Sequence, residues 1–224
     1  ISGAGGQLTI GGQTLTITNT LITHTDGLLV MTNPADVVIV GGDATFQGGN
    51  ETGLLTAGEL RVAGAFNQQT QTDARSFLAS GTHRTVMTGV SLQSVRFCCS
   101  TPVSGFQQLD ISNSVGINYQ FSGFGVVVFD TLISQVGTGP APMLYALGNT
   151  LTAARLRVDK LVVDRGTLTL NEGGVAANQQ LDNVTFQNYL TTQTQLAIVA
   201  PGGAAGARTL TFNNLAFQPL VAGN

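Results

Sequence analysis

Apolar residues recur along this chain in pairs, each pair split by one intervening position. Leu8/Ile10, Leu15/Ile17, Leu28/Val30, Val38/Val40 and Leu60/Val62 open the series. Val95/Phe97, Leu109/Ile111, Ile117/Tyr119 and Val126/Val128 continue it. Leu156/Val158, Leu161/Val163, Leu168/Leu170, Leu196/Ile198, Leu210/Phe212 and Leu215/Phe217 complete it. A period of two marks a short strand with one buried face. Gly, Asn, Asp or Pro fills most gaps, as in "GG" at 11–12, "NPAD" at 33–36, "GGD" at 41–43, "NEGG" at 171–174 and "PGG" at 201–203. These residues turn a chain. No segment carries a sustained i, i+3, i+4, i+7 pattern. The best helix candidate is the short "TDARSFLAS" at 72–80.

Evenly spaced short strands allow a sandwich, a barrel or a solenoid. Several features favour the solenoid. "LRVAG" (60–64) echoes "LRVDK" (156–160), and "LDISN" (109–113) echoes "LDNVTF" (181–186). Weak internal echoes suit stacked coils. Asn and Gly follow the strands, as tight corners with left-handed backbone require. The connections are too short for Greek-key crossovers. The expected fold is all-β, a right-handed parallel β-solenoid (β-helix), with an antiparallel β-sandwich as the alternative. Three strands and three corners need ~20–25 residues, giving roughly nine coils stacked at ~4.8 Å. Residues 1–224 are read as one solenoid domain, a processed chain or a segment of a larger protein. Leu109, Ile111, Leu156, Val158, Leu168, Leu170, Leu210 and Phe212 are the expected structural core.

Composition changes the picture of the surface. Hydrophobic residues make up 42% of the 224, so the chain can fill a core, but charged residues are only 9% and Lys occurs once, at position 160. A typical globular protein carries ~25% charged residues. The outer faces must therefore be Thr, Asn, Gln, Ser and Gly. With a net charge of −3 and no basic stripe, nucleic-acid binding is not expected. No apolar run approaches the ~20 residues that span a bilayer. Neither terminus carries a charged or helical cap, so the expectation is either a longer natural chain or copies stacked end to end through the solenoid ends.

The stretches "GGNETGLLTAGELRVAGAFNQ" (48–68), "SFLASGTHRTVMTG" (76–89), "FQQLDIS" (106–112), "LDNVTFQNY" (181–189) and "TLTFNNLAF" (209–217) resemble the repetitive β-rich segments of large exported bacterial surface proteins of adhesin type. The resemblance implies an extracellular or cell-surface, rod-like, structural or adhesive role. It carries over no catalytic residue.

Candidate chemistry is thin, and each candidate has a plain structural reading. Asp110, Asp130, Asp159 and Asp182 lie 20, 29 and 23 residues apart; some could stack across coils. Carboxylates ~5–9.5 Å apart would suit glycoside hydrolysis, whereas turn or strand-end Asp is the plainer explanation. "VDKLVVDRG" (158–166) holds two Asp–cation pairs that solvated ion pairs explain equally well. His24 and Asp26 would share a strand face, as half of a metal site or triad; a polar His beside a turn is the simpler reading for both His24 and His83. Adjacent Cys98 and Cys99 are read as small apolar strand residues, with a vicinal disulfide, an intermolecular bridge or a metal ligand as alternatives. Thr-x-Thr pairs at 14/16, 16/18, 23/25, 167/169 and 209/211 are too irregular for one flat ice-binding array. "NET" (50–52) and "NVT" (183–185) fit the N-glycosylation pattern. No catalytic or metal site and no cofactor is expected. The leading expectation is a non-enzymatic structural or adhesive module, with a homo-oligomer or filament as partner and surface glycans as a further one. The alternatives are a carbohydrate-active β-helix enzyme using some of those Asp residues, or a glycan-binding module limited to Tyr119, Tyr145 and Tyr189 as Tyr platforms.

Overall fold

The computed structural model describes residues 1–91, 93–98, 104–112, 118–123, 125–136, 138, 140, 142–145, 150–164, 167–171, 179–189, 195–199 and 210–220. Cys99, Ile117 and Thr209, and the turns expected at 172–174 and 201–203, lie outside them. The strands are β1 (Gln7–Thr9), β2 (Thr14–Ile17), β3 (Leu21–His24), β4 (Leu28–Val30), β5 (Val37–Val40), β6 (Ala44–Gln47) and β7 (Glu59–Val62). They continue with β8 (Phe66–Gln68), β9 (Arg84–Met87), β10 (Gln93–Phe97), β11 (Phe106–Asp110), β12 (Asn118–Gly123) and β13 (Val126–Ser134). The last are β14 (Met143–Tyr145), β15 (Thr150–Asp164), β16 (Thr167–Asn171), β17 (Gln179–Tyr189), β18 (Gln195–Val199) and β19 (Leu210–Leu220).

The described strand pairs are parallel, and partners lie a coil apart in sequence. Along one face, β2, β5, β7, β9, β11, β13, β15, β17 and β19 pair in succession. Its register runs Thr14, Val37, Glu59, Arg84, Gln108, Thr131, Arg155, steps of 22–25 residues. The step widens to 31 between Leu181 and Phe212. A second face stacks β3, β6, β8, β10, β12 and β14. The third begins with β1 against β4 and continues through the bridges Met31–Leu55–Ala79. Strand β15 belongs to all three faces: Thr150–Ala153 pairs with β16, Arg155–Val158 with β13, and Val162–Asp164 with β14. These pairings make the chain a parallel β-solenoid and rule out the antiparallel sandwich.

The period-two pattern is what fills the interior. On the first face Val38, Leu60, Leu109, Leu132 and Leu156 occupy one register column, and all are buried. Thr85 interrupts that column between Leu60 and Leu109, equally buried. Ile111, Val158 and Leu168 are buried too. Leu170 pairs with Ala153, and Leu210 and Phe212 pair with Gln179 and Leu181. Between the second and fifth coils the core turns aromatic. Phe66 touches four other rings: Phe46 (5.6 Å between centroids), Phe77 (4.7 Å), Phe97 (5.6 Å) and Phe106 (4.8 Å). Stacked, tilted and edge-on pairs of this kind add ~0.5–1.5 kcal/mol each beyond the area they bury.

Residues 72–80, the best helix candidate in the sequence, form turns and bridges instead. Asp73 Oδ1 accepts the Arg75 N–H (2.7 Å), an Asx turn that competes with a helical first turn. Phe77 goes into the aromatic core, and Leu78 and Ala79 bridge to neighbouring coils. The tertiary contacts outweigh a weak local preference.

Polar side chains clip coil to coil at the corners. Asp36 accepts Gly12 N–H from the coil below (2.5 Å) and Asn33 N–H (2.9 Å). Thr23 Oγ1 accepts the N–H groups of Gln47 and Gly48 (both 3.2 Å). Asp43 accepts Ala65 N–H (2.7 Å). Buried Gln93 holds Gly89 N–H with its oxygen (3.0 Å), and its amide donates to the carbonyls of Val62 and Gly64. Corner N–H groups such as those of Gly12, Gly48 and Ala65 thereby gain side-chain acceptors. At Gly81 φ is +62°, and an added Cβ would strike the Thr56 carbonyl oxygen of the coil below.

Candidate functional site

On a solenoid face, alternate residues point outward and successive coils set them in columns ~4.8 Å apart. On the first face one outward column reads Glu59, Arg84, Gln108 and the next reads Arg61, Val86, Asp110. The two columns bring together four charged side chains. Arg61 Nε donates to Glu59 Oε1 (2.5 Å). Arg84 spans three coils: one Nη lies 3.5 Å from Glu59 Oε2, and the other pairs with Asp110 Oδ2. Asp110 Oδ1 accepts Ser112 N–H (2.7 Å). The Asp110 side chain is only 3% exposed, whereas the two arginines are 45% and 41% exposed. Around these groups lies an open cleft of about 460 Å³, also lined by Val86, Thr88 and Ser112. The size falls in the ~300–1,000 Å³ range of ligand clefts.

Of the four aspartates singled out in the sequence, the structure brings only Asp110 into this cleft. Asp130 sits at the corner ahead of the first face and pairs with Arg155, whose Nε is 2.6 Å away. Asp159 and Asp182 fall at the corner after that face, in neighbouring coils, between the pairs Val158–Leu181 and Lys160–Asn183. The four therefore do not share one column. Glu59, Arg61 and Arg84 were not singled out. Their signal was the coil step: a 22–25-residue period carried from Asp110 lands on Val86 and Arg61.

The remaining candidates divide between surface and core. His24 is exposed, and its Nδ1 lies 2.7 Å from Thr25 Oγ1. His83 is not a polar turn residue: it is fully buried at the edge of the aromatic core, 6.1 Å from Phe77. Neither ring nitrogen has a hydrogen-bond partner. Burial alone lowers its pKa to about 4, because the charged imidazolium cannot be solvated there. Glu51, inside the "NET" triplet, is also fully buried. Its Oε1 accepts Leu29 N–H (3.0 Å) and its Oε2 has no partner. Burial raises its carboxyl well above the usual range, and the Leu29 hydrogen bond offsets this only in part. Asn50 Oδ1 accepts Thr52 N–H (2.9 Å) and Oγ1–H (2.6 Å), an Asx turn.

Thr23 is buried in its clip and cannot join Thr25 in an outward pair. Thr14 and Thr16 do point outward, but Val37 and Ile39 stand over them in the next coil. Cys98 lies just past the end of β10, half-buried and disulfide-bonded, rather than as a free thiol in a strand. Its N–H donates to the buried Gln68 Oε1 (3.3 Å). Among the described residues no three His, Cys, Asp or Glu side chains converge as a metal site would need. Nor is any helix among them long and apolar enough to cross a membrane. The chain matches no protein-family model, no curated protein and no solved structure.

Proposed function

We propose that this chain is an extracellular structural and adhesive module of a bacterial surface fibre, a non-enzymatic rod that assembles end to end into filaments. The observation that supports it is the ladder of nine strands running from β2 to β19 on one face. Each coil hydrogen-bonds to the next along the rod axis, so tension along that axis is shared by many parallel bonds. At the first level, Leu8, Leu15 and Ile17 are only partly covered by the core they pack against. The outward residues of β2 are the uncharged Thr14 and Thr16. An uncharged edge of this kind accepts a further parallel strand. A heterologous contact that does not close generates a filament.

Electron microscopy of the purified chain over a concentration series tests the reading. Rods that lengthen with concentration, with an axial repeat of one subunit, are expected. Isolated particles of constant length at every concentration would refute end-to-end assembly.

A further inference from the structure

The charged cleft on the first face has the chemistry of a sugar site. We propose that it binds a neutral oligosaccharide chain, with Val86 under the sugar ring and Glu59, Arg61, Arg84 and Asp110 around its hydroxyls. This deepens the adhesive part of the function proposed above and rests on it.

The argument starts from charge. Two guanidinium groups and two carboxylates line the cleft, so it is electroneutral. Each carboxylate is already held by an arginine, Glu59 by Arg61 and Arg84, Asp110 by Arg84. An anionic ligand would have to compete with both for the same donors, and one carboxylate would lose its partner. A neutral polyol needs no such exchange. It takes the lone pairs and N–H groups that the ion pairs leave over. Arg61 enters its pair through Nε at 2.5 Å, which leaves its two Nη groups outside that pair. The network is also held in place before any ligand arrives. Asp110 is nearly buried and anchored to Ser112 N–H, and Arg84 is tied at both ends. Pre-ordering of this kind lowers the entropy lost on binding.

Shape gives the second argument. In the inner of the two columns the register is Arg61, Val86, Asp110. An apolar residue therefore lies between a donor and an acceptor, each one coil step of ~4.8 Å away. A pyranose ring has the same layout: an apolar C–H face with hydroxyls at its edge. Here Val86 takes the place that an aromatic platform fills in many sugar sites.

The test uses defined hexasaccharides as probes: β-1,4-linked glucose, α-1,4-linked glucose, β-1,4-linked mannose and α-1,4-linked galacturonate. Saturation-transfer NMR and calorimetry measure binding to the intact chain, to Arg61→Ala and to Val86→Lys. Both positions are on the outer face, and a thermal melt confirms that each variant folds. The expected result is saturable binding of at least one neutral hexamer, weakened tenfold or more by each substitution, with galacturonate weaker than the neutral probe. Absence of saturable binding by all three neutral hexamers overturns the proposal. So does neutral-hexamer binding that both variants retain, or preferential binding of galacturonate. Microscopy of the same samples separates the two readings. Filaments without sugar binding sink only this inference, whereas sugar binding by short particles sinks the filament and leaves the cleft.

Discussion

His83 offers a direct measurement of what the narrow core does to a polar group. The imidazole is fully buried with neither nitrogen partnered, and its pKa falls from 6.5 to about 4. In the unfolded chain the same ring takes up a proton near pH 6.5. Between those values the unfolded state binds more protons than the folded one, so stability falls as pH falls. The contribution is fully present above pH 6.5 and lost by about pH 4. At about 1.4 kcal/mol per pKa unit, the shift of about 2.5 units corresponds to roughly 3 kcal/mol. Other groups titrate across the same window, so the measurement has to be a difference. Urea unfolding of the parent and of His83→Leu is compared at pH 7.5, 6.0, 5.0 and 4.0. At pH 7.5 the variant should be at least as stable, since it removes two buried nitrogens that have lost their hydrogen bonds to water. On acidification the parent should lose about 3 kcal/mol more than the variant, most of it below pH 6. A gap that stays constant across the four pH values would refute the reasoning. So would a parent markedly more stable at pH 7.5, which would mean that the imidazole is hydrogen-bonded in the folded chain.

Three further outcomes are expected. Glu51 has its folded pKa raised, so it opposes folding as pH rises above 4.5 toward the folded value; Glu51→Gln should gain stability over the parent at pH 8 and little at pH 4.5, read by the same denaturation series. Phe66 lies at the centre of the aromatic stack, and Phe66→Ala should cost ~3–5 kcal/mol; a change under ~1 kcal/mol would mean that the rings do not pack as described. Asp36→Ala leaves the N–H groups of Gly12 and Asn33 without their acceptor and should cost ~1–3 kcal/mol, with faster amide exchange at Gly12 as the local readout.

The sequence made the solenoid legible because its core is built from a short rule. Apolar pairs with one residue between them put Val38, Leu60, Leu109 and Leu156 into one column. The "LRV" echo was in register as well. Arg61 and Arg157 stand in the same outward column, separated by Val86, Asp110 and Ile133. The other echo was not: Leu181 pairs with Val158 of the coil below, which follows Ser134, whereas Leu109 pairs with Leu132 two residues earlier in that strand. The aspartates show why spacing alone misleads. Asp110 and Asp130 are 20 residues apart, short of the coil step, so Asp110 meets Ile133 instead. The register also shifts by one residue between Phe106 and Gln108, from a step of 22 to one of 23. A charged cleft that depends on two columns becomes visible only once the step is known coil by coil.

The buried polar residues were the least legible part, and they bear on how the fold is specified. A parallel ladder has nearly the same hydrogen-bond energy in any register, so backbone pairing alone leaves coils free to slip. The hydrophobic pattern forbids a slip of one residue, because it would turn every apolar side chain outward. It tolerates a slip of two. The clips do not. Asp36 reaches Gly12, Thr23 reaches Gln47 and Gly48, and Gln93 reaches Val62 and Gly64 only at one offset. Shifted by two residues, each would bury a polar group without its partner, at ~1–3 kcal/mol apiece. Thr, Gln and Asp in the interior thus act against wrong registers more than they add to the right one. With the interior rows and corners so constrained, the outward rows are where substitution is least restricted. It is on those rows that Glu59, Arg61, Arg84 and Val86 stand, so the contacts of the proposed sugar site can vary without disturbing the core.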